Sequence, residues 1–307
     1  MPLTLRLSRL ENIAHYSGVN MKKRQTEKIS LTQKVIFILF KLLERLSCKL
    51  AGYFLYILWH MPWSKRRKRN RVFPEDTIQS SFNVAGKRIP YWESGSGPVV
   101  LFVHGWGSYG AQFSLMINEF HDSGYKTIWF DAPAHGEATG LMTNVFEVNE
   151  CISCLQEKYG HFELVIGHSF GAFSLMRAVS EGLSISRLIV LSLTTSAAGL
   201  VDKFCNVFNA KEQTRYEMMG FIEKKYGNNI WEKLSSLNMA KLIHQPVLLI
   251  HDKCDSVVSC KESISTKRKL SNAKLILTER LGHNRILYDT SVMKAIFEFI
   301  GASKVVE

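Results

Sequence analysis

A serine held between glycines is the first place in this 307-residue chain where residue type and spacing point to covalent chemistry. Gly167-His168-Ser169-Phe170-Gly171 has the form G-x-S-x-G, with the strand-like run Glu163–Ile166 before it and the helical run Ala172–Ser180 behind. The short pattern alone is weak, and the strand–turn–helix context gives it its weight. Such a turn holds the hydroxyl clear of the backbone. Small residues two positions either side let strand and helix approach, and the helix start favours developing negative charge.

A serine hydroxyl is a poor nucleophile without a base, and the base needs a carboxylate to orient it. On this kind of turn the partners follow the serine in the order acid, then histidine. Beyond Asp255 the chain holds a single histidine, His283, in Leu281-Gly282-His283-Asn284. The acid is sought in His251–Val258, the loop leaving the strand-like run Val247–Ile250. Asp255 lies farther into that loop and is the choice; Asp252 is the runner-up and would otherwise cap the loop. Thr194-Thr195-Ser196, after the preceding strand run, offers no carboxylate. The developing oxyanion needs donors as well. His104-Gly105-Trp106-Gly107 follows the run Val99–Val103, so the backbone N–H groups of Trp106 and Phe170 are the expected pair, with the Trp106 indole as a wall of the acyl pocket.

Other motifs carry less. Cys151 and Cys154 form C-x-x-C inside a helical pattern with no second pair, which reads as packing. No H-E-x-x-H, dinucleotide fingerprint or P-loop occurs, so neither a metal nor a cofactor is expected. His104, His135 and His168 read as neighbours of turns, and Asp131 as a brace for its loop.

The elements that must position these residues follow a regular alternation. Ile78–Val84 and Lys87–Trp92 read as a hairpin turning at Ala85-Gly86. Strand runs follow at Val99–Val103, Thr127–Phe130, Glu163–Ile166, Leu188–Leu193, Val247–Ile250 and Lys274–Leu277, separated by helical patterns near 112–123, 144–159, 170–181, 259–270 and 291–300. That order predicts an α/β fold with a mostly parallel sheet covered on both faces. The strandless interval 197–245 reads as helices inserted above the sheet.

Taken in order, His104–Gly107, Asp131-Ala132-Pro133-Ala134-His135-Gly136, the Ser169 pentapeptide, the His251–Val258 loop and Leu281-Gly282-His283 resemble the α/β-hydrolase family, most of all its bacterial esterase- and lipase-like branch. The resemblance covers about residues 78–302. It implies an eight-stranded sheet, a triad Ser169–Asp255–His283, and a helical lid that matches the strandless interval. The sequence departs from the family where glycine often follows the first histidine of the acid loop and proline ends it: here stand Asp252 and Ser259. Neither change removes a catalytic group. The expected activity is hydrolysis of carboxylic esters or thioesters of apolar acyl groups, with a small acyl compound as substrate. The same triad would also serve carbon–carbon bond hydrolysis, and an inactive membrane-associated interaction protein is the alternative outside enzymes. The lid residues Phe204, Val207, Phe208, Met218, Met219, Phe221, Ile222 and Trp231 suggest an apolar acyl chamber, or else ordinary packing of the lid.

The net charge of +12 would suggest nucleic acid until it is located. Residues 1–80 hold 16 Lys+Arg against 5 Asp+Glu, and the remainder 23 against 22, so the body is nearly neutral and no nucleic-acid partner is expected. Residues 1–77 form a basic arm ahead of the hydrolase domain at 78–307. Within it, Leu31–Trp63 reads as an amphipathic helix with Lys34, Lys41, Arg45 and Lys49 in one stripe, and Lys65–Arg71 places six positive charges in seven residues. The longest uncharged run, Leu50–Ser64, has 15 residues, fewer than the roughly 20 that span a bilayer. A secretory signal fits poorly because the apolar segment starts far from Met1, although Met21-Lys22-Lys23-Arg24 would serve as its basic start were translation to begin there. Two dispositions stay open. The helix lies in an anionic membrane surface with Tyr53, Tyr56, Trp59 and Trp63 at headgroup depth, or it docks on the hydrolase body. Six cysteines without a spacing pattern point to a reducing compartment, so the expectation is a cytoplasmic enzyme with peripheral membrane contact through the arm.

Overall fold

Apolar runs buried on both faces need layers on both sides of a sheet, and that is what the chain builds. The computed structural model describes residues 31–62, 71–194 and 196–301. Trp63, Lys65–Asn70, Thr195 and the stretch around Met21 lie outside the described residues. The described residues fall into two compact units that part between Leu39 and Phe40.

The sheet has eight strands in the order β1-β2-β4-β3-β5-β6-β7-β8. They are β1 (Ile78–Val84), β2 (Lys87–Ser94), β3 (Val99–Val103), β4 (Lys126–Phe130), β5 (Phe162–His168), β6 (Ile185–Leu191), β7 (Val247–Asp252) and β8 (Ala273–Thr278). The β1–β2 and β2–β4 pairs are antiparallel, and every later pair is parallel. The expected hairpin is present, with Ala85 and Gly86 both at positive φ and Val84 opposite Lys87. Because β3 sits between β4 and β5, the chain reverses its direction of winding there. Loops leaving such a switch point open a crevice at the C-terminal edge of the sheet.

One face of the sheet, including Phe102, Trp129, Ile166, Leu191 and Ile250, packs with α3 (Ser114–Asp122) and α12 (Thr290–Ile300) through Met116, Phe120, Ile296 and Phe297. The alternate residues Leu101, Val103, Val165, Val190 and Leu249 are equally buried, so neither face is wet. The remaining body helices are α4 (Val145–Tyr159), α5 (Phe170–Ser180), α10 (Lys261–Lys267) and α11 (Gly282–Arg285). Cys151 and Cys154 lie in α4 as free thiols, in keeping with a packing role.

Between β6 and β7 stand the lid helices α6 (Ala197–Val207), α7 (Glu212–Tyr226), α8 (Ile230–Lys233) and α9 (Ser236–Ala240). The arm differs from the single helix expected. It forms α1 (Leu31–Leu46) and α2 (Cys48–Trp59), broken at Ser47, whose extended backbone lets its hydroxyl accept from Leu50 N–H at 3.4 Å. From Phe40 onward the arm packs on the lid. Glu44, only 4% exposed, accepts from Lys211 N–H at 2.7 Å and from the Thr214 hydroxyl at 3.0 Å, capping the start of α7. Lys41 closes the cluster by donating to Glu44 and to the Asn209 carbonyl. Burial alone would raise the Glu44 pKa, but the bonds from Lys211, Lys41 and Thr214 outweigh it and hold the carboxyl below its ordinary value. The α2 and α7 backbones approach at Gly52, where an added Cβ would lie 2.7 Å from Glu217 Cβ.

This packing bears on two of the alternatives left open by the sequence. Tyr56 and Tyr53 lie against Phe221, and Trp59 against Phe204, so these rings meet lid helices, as in the docked disposition, while Tyr53 stays half exposed. Phe208 faces Phe40, and Met218 lies buried against Cys205. Much of the lid's apolar surface is therefore spent on the arm and on the lid itself, because amphipathic helices on both sides had a face to bury.

Candidate active site

Ser169 stands between β5 and α5 with φ 53° and ψ −116°, a left-handed conformation that costs a non-glycine residue about 1–3 kcal/mol. The turn is held from several sides. Ser169 N–H donates to the Leu191 carbonyl at 2.8 Å. A Cβ at Gly167 would lie 2.6 Å from the Ala172 backbone, and one at Gly171 would overlap the Val103 carbonyl. The flanking glycines are thus required by close approach, as the motif suggested. The serine side chain makes no capping bond to its own helix. Phe170 is the first residue of α5, so its N–H has no acceptor within the helix.

Trp106 comes from the loop after β3. Gly105 brings that loop against the serine turn, since a Cβ there would lie 3.3 Å from Ser169 Cβ. The loop is fixed by two buried imidazoles. His104 Nε2 accepts from Ala132 N–H at 2.9 Å while Nδ1 donates to the Gly105 carbonyl at 2.8 Å. His135 Nε2 accepts from Gly107 N–H, and its Nδ1 donates to the Pro133 carbonyl, both at 3.0 Å. Burial pushes the first down to about 3 and the second to about 4, so each keeps the lone pair its amide needs. Asp131 accepts from Gly110 N–H and Glu137 N–H, each at 2.7 Å, and burial pushes its pKa up to about 6. These residues brace the loops as anticipated. The rings of Trp106 and Phe170 meet edge to face at 5.1 Å beside the serine.

The structure separates the two candidate acids. Asp255 Oδ2 lies 2.7 Å from His283 Nδ1. Its Oδ1 accepts from Val257 N–H at 2.8 Å and Val258 N–H at 2.9 Å. Asp252 does not reach the imidazole. It accepts from Cys254 N–H at 2.9 Å, the Thr278 hydroxyl at 2.8 Å and Leu281 N–H at 3.0 Å, tying the β7 exit to the loop that carries His283.

Two contacts were not read from the sequence. His251 Nε2 donates to the Val258 carbonyl at 3.0 Å and stands 3.3 Å from Asp255 Oδ2, while its Nδ1 faces the Ser263 hydroxyl at 2.7 Å. The Asp255 carboxyl is buried, which alone would raise its pKa. Hydrogen bonds from His251, His283 and the Val258 amide reverse this and hold it far below the carboxylate range. His168 Nε2 donates to the His283 carbonyl at 2.8 Å, with the two rings 4.8 Å apart, joining the Ser169 turn to the His283 loop. The only sequence signal for either was its place inside a motif, and partners 7 to 115 residues away have no periodicity to reveal them.

Residues 98–204 match the family model for the alpha/beta hydrolase fold. No curated protein matches the chain. An esterase from Pyrococcus furiosus is 20% identical with a TM-score of 0.58, the match covering 78% of this chain and 97% of that one. The thioesterase domain from the curacin biosynthetic pathway is 18% identical with a TM-score of 0.56, covering 74% and 99%. A meta-cleavage product hydrolase from Pseudomonas fluorescens is 16% identical with a TM-score of 0.55, covering 73% and 98%. With its sheet order and matched segment, the chain has the α/β-hydrolase fold.

Proposed function

We propose that this protein is a serine hydrolase that cleaves acyl esters or thioesters through an acyl-enzyme. The observation that carries the reading is the 2.7 Å bond between Asp255 and His283 Nδ1, beside a serine on a strained turn. With Nδ1 held by the carboxylate, Nε2 of the neutral ring is free to take the Ser169 proton as Oγ attacks the carbonyl carbon. Asp255 then stabilises the imidazolium. The oxyanion is held by the amides of Trp106 and Phe170, each donor being worth about 3 kcal/mol. Collapse expels the alcohol or thiol, which takes the proton from His283. Water, activated by the same ring, attacks the acyl-enzyme and releases the acid. The Trp106 and Phe170 rings, which meet edge to face next to Ser169, support an apolar acyl group.

All six cysteines are free, which supports a reducing compartment such as the cytoplasm. Among the described residues no helix is long and apolar enough to cross a membrane. Turnover of p-nitrophenyl esters by the wild type and by Ser169→Ala tests the proposal. The substitution should lower kcat by on the order of 10⁴ or more. Retained activity would remove Ser169 from the chemistry. Absence of a fluorophosphonate adduct on the wild type would favour a protein that kept the fold and lost the activity. Assaying thioesters and diketones alongside distinguishes carbon–carbon cleavage, which uses the same triad.

A further inference from the structure

The arm helices bury one face and leave another open. Phe40, Glu44, Ala51, Gly52, Leu55 and Tyr56 are turned inward. On the other side Leu42, Leu46, Leu50 and Tyr53 are 51%, 78%, 53% and 50% exposed. Leu42 and Leu46 are one helical turn apart, on the side of α1 away from Phe40 and Glu44. Single exposed leucines are ordinary on a protein surface, whereas a row of them at helical spacing marks an interaction face.

The charges on this face say what covers it. Across residues 31–62 the one acidic side chain is Glu44, which is buried and bonded, while Arg45 and Lys49 are exposed among the leucines. The surrounding sequence has the same sign, with 16 basic against 5 acidic residues in the first 80. A second copy of the chain would bring these cations against their own kind, so self-association on this face is opposed. An apolar row interleaved with cations on an otherwise neutral body is complementary to a surface that offers hydrocarbon beneath anionic groups.

We propose that the exposed face of α1 and α2 is a docking surface for an anionic lipid bilayer. The helices lie along the interface, with Leu42, Leu46, Leu50 and Tyr53 entering the headgroup–acyl boundary and Arg45 and Lys49 meeting lipid phosphates. Because Glu44 on the same helix caps α7, the surface that meets lipid is bonded directly to the lid. This inference does not depend on the hydrolase chemistry, and its test needs no substrate.

The experiment is sedimentation of the full chain with phosphatidylcholine vesicles, with and without phosphatidylglycerol, at low and high salt. The expected result is binding to the anionic vesicles at low salt, weakened by salt and absent from pure phosphatidylcholine. Arg45→Gln with Lys49→Gln should lower the partition coefficient by about 25-fold, five-fold for each charge at about 1 kcal/mol apiece. Leu42→Glu with Leu46→Glu should leave the protein in the supernatant with an unchanged melting temperature, since both sites are exposed. Should that variant fail to fold, the glutamine pair carries the test. The proposal is overturned if the wild type stays soluble with anionic vesicles at low salt, or if the glutamine pair binds as the wild type does. It is equally overturned if light scattering shows a dimer that the leucine substitutions dissociate.

Discussion

Lowering the pH from about 7.5 to about 5.5 should remove roughly 3 kcal/mol of folding stability, and the loss is assigned to particular side chains. His104, His135 and His168 are buried, which pushes their pKa values from 6.5 to about 3, about 4 and about 3. A depressed folded value means that the unfolded chain takes up the proton first. Stability is then full above about pH 6.5 and falls as pH drops towards the folded values. At pH 5.5 each histidine accounts for about 1.4 kcal/mol, or about 4 for the three. Asp131 acts in the opposite sense, because burial raises it from 3.8 to about 6. The folded state binds that proton more tightly and recovers just under about 1 kcal/mol at pH 5.5. His60, also lowered by burial, adds to the loss. Urea unfolding followed by tryptophan fluorescence at the two pH values measures the difference. His135→Gln keeps an acceptor for Gly107 N–H and a donor for the Pro133 carbonyl but takes up no proton, so it should reduce the loss by about 1.4 kcal/mol. A free energy of unfolding that is flat between the two pH values, or a His135→Gln variant with the full wild-type loss, would refute the reasoning.

Three further outcomes follow from the geometry. Asp255→Ala should lower kcat by about 10³–10⁴ with the fold intact, whereas Asp252→Asn should lower the melting temperature with a far smaller effect on kcat; the reverse pattern would exchange their roles. Glu44→Ala leaves the Lys211 amide and the buried Thr214 hydroxyl without their acceptor and should cost about 2–4 kcal/mol in urea, with Glu44→Gln costing less; an unchanged midpoint would show that the cap contributes nothing. Gly52→Ala places a Cβ 2.7 Å from Glu217 Cβ and 2.9 Å from Met218 N, so the better helix former should nonetheless melt earlier, by about 1–3 kcal/mol; a higher melting temperature would mean that α2 and α7 separate freely.

The sequence by itself determined the sheet, the glycine-flanked turn at Ser169 and the order of the candidate site loops. Strands buried on both faces are written as unbroken apolar runs, and a turn that tolerates only glycine on either side of its serine announces itself locally. It left His283 as the one candidate base, because one histidine remained after the loop that carries the candidate acids. Between Asp252 and Asp255 the sequence favoured Asp255 only by its place farther into the loop: two carboxylates three residues apart have the same local chemistry, and it is the arrival of His283 from beyond the next strand that sets them apart in the tertiary structure. His251 and His168 gained their contacts in the same way, through partners on other elements. The arm shows the limit most clearly. Its amphipathic pattern required a covered face and did not say which face or by what. Folding answered with Glu44 on the start of α7 and Gly52 against Glu217, because helix packing is decided by the shape and charge of the partner surface, and neither is present in the helix's own residues.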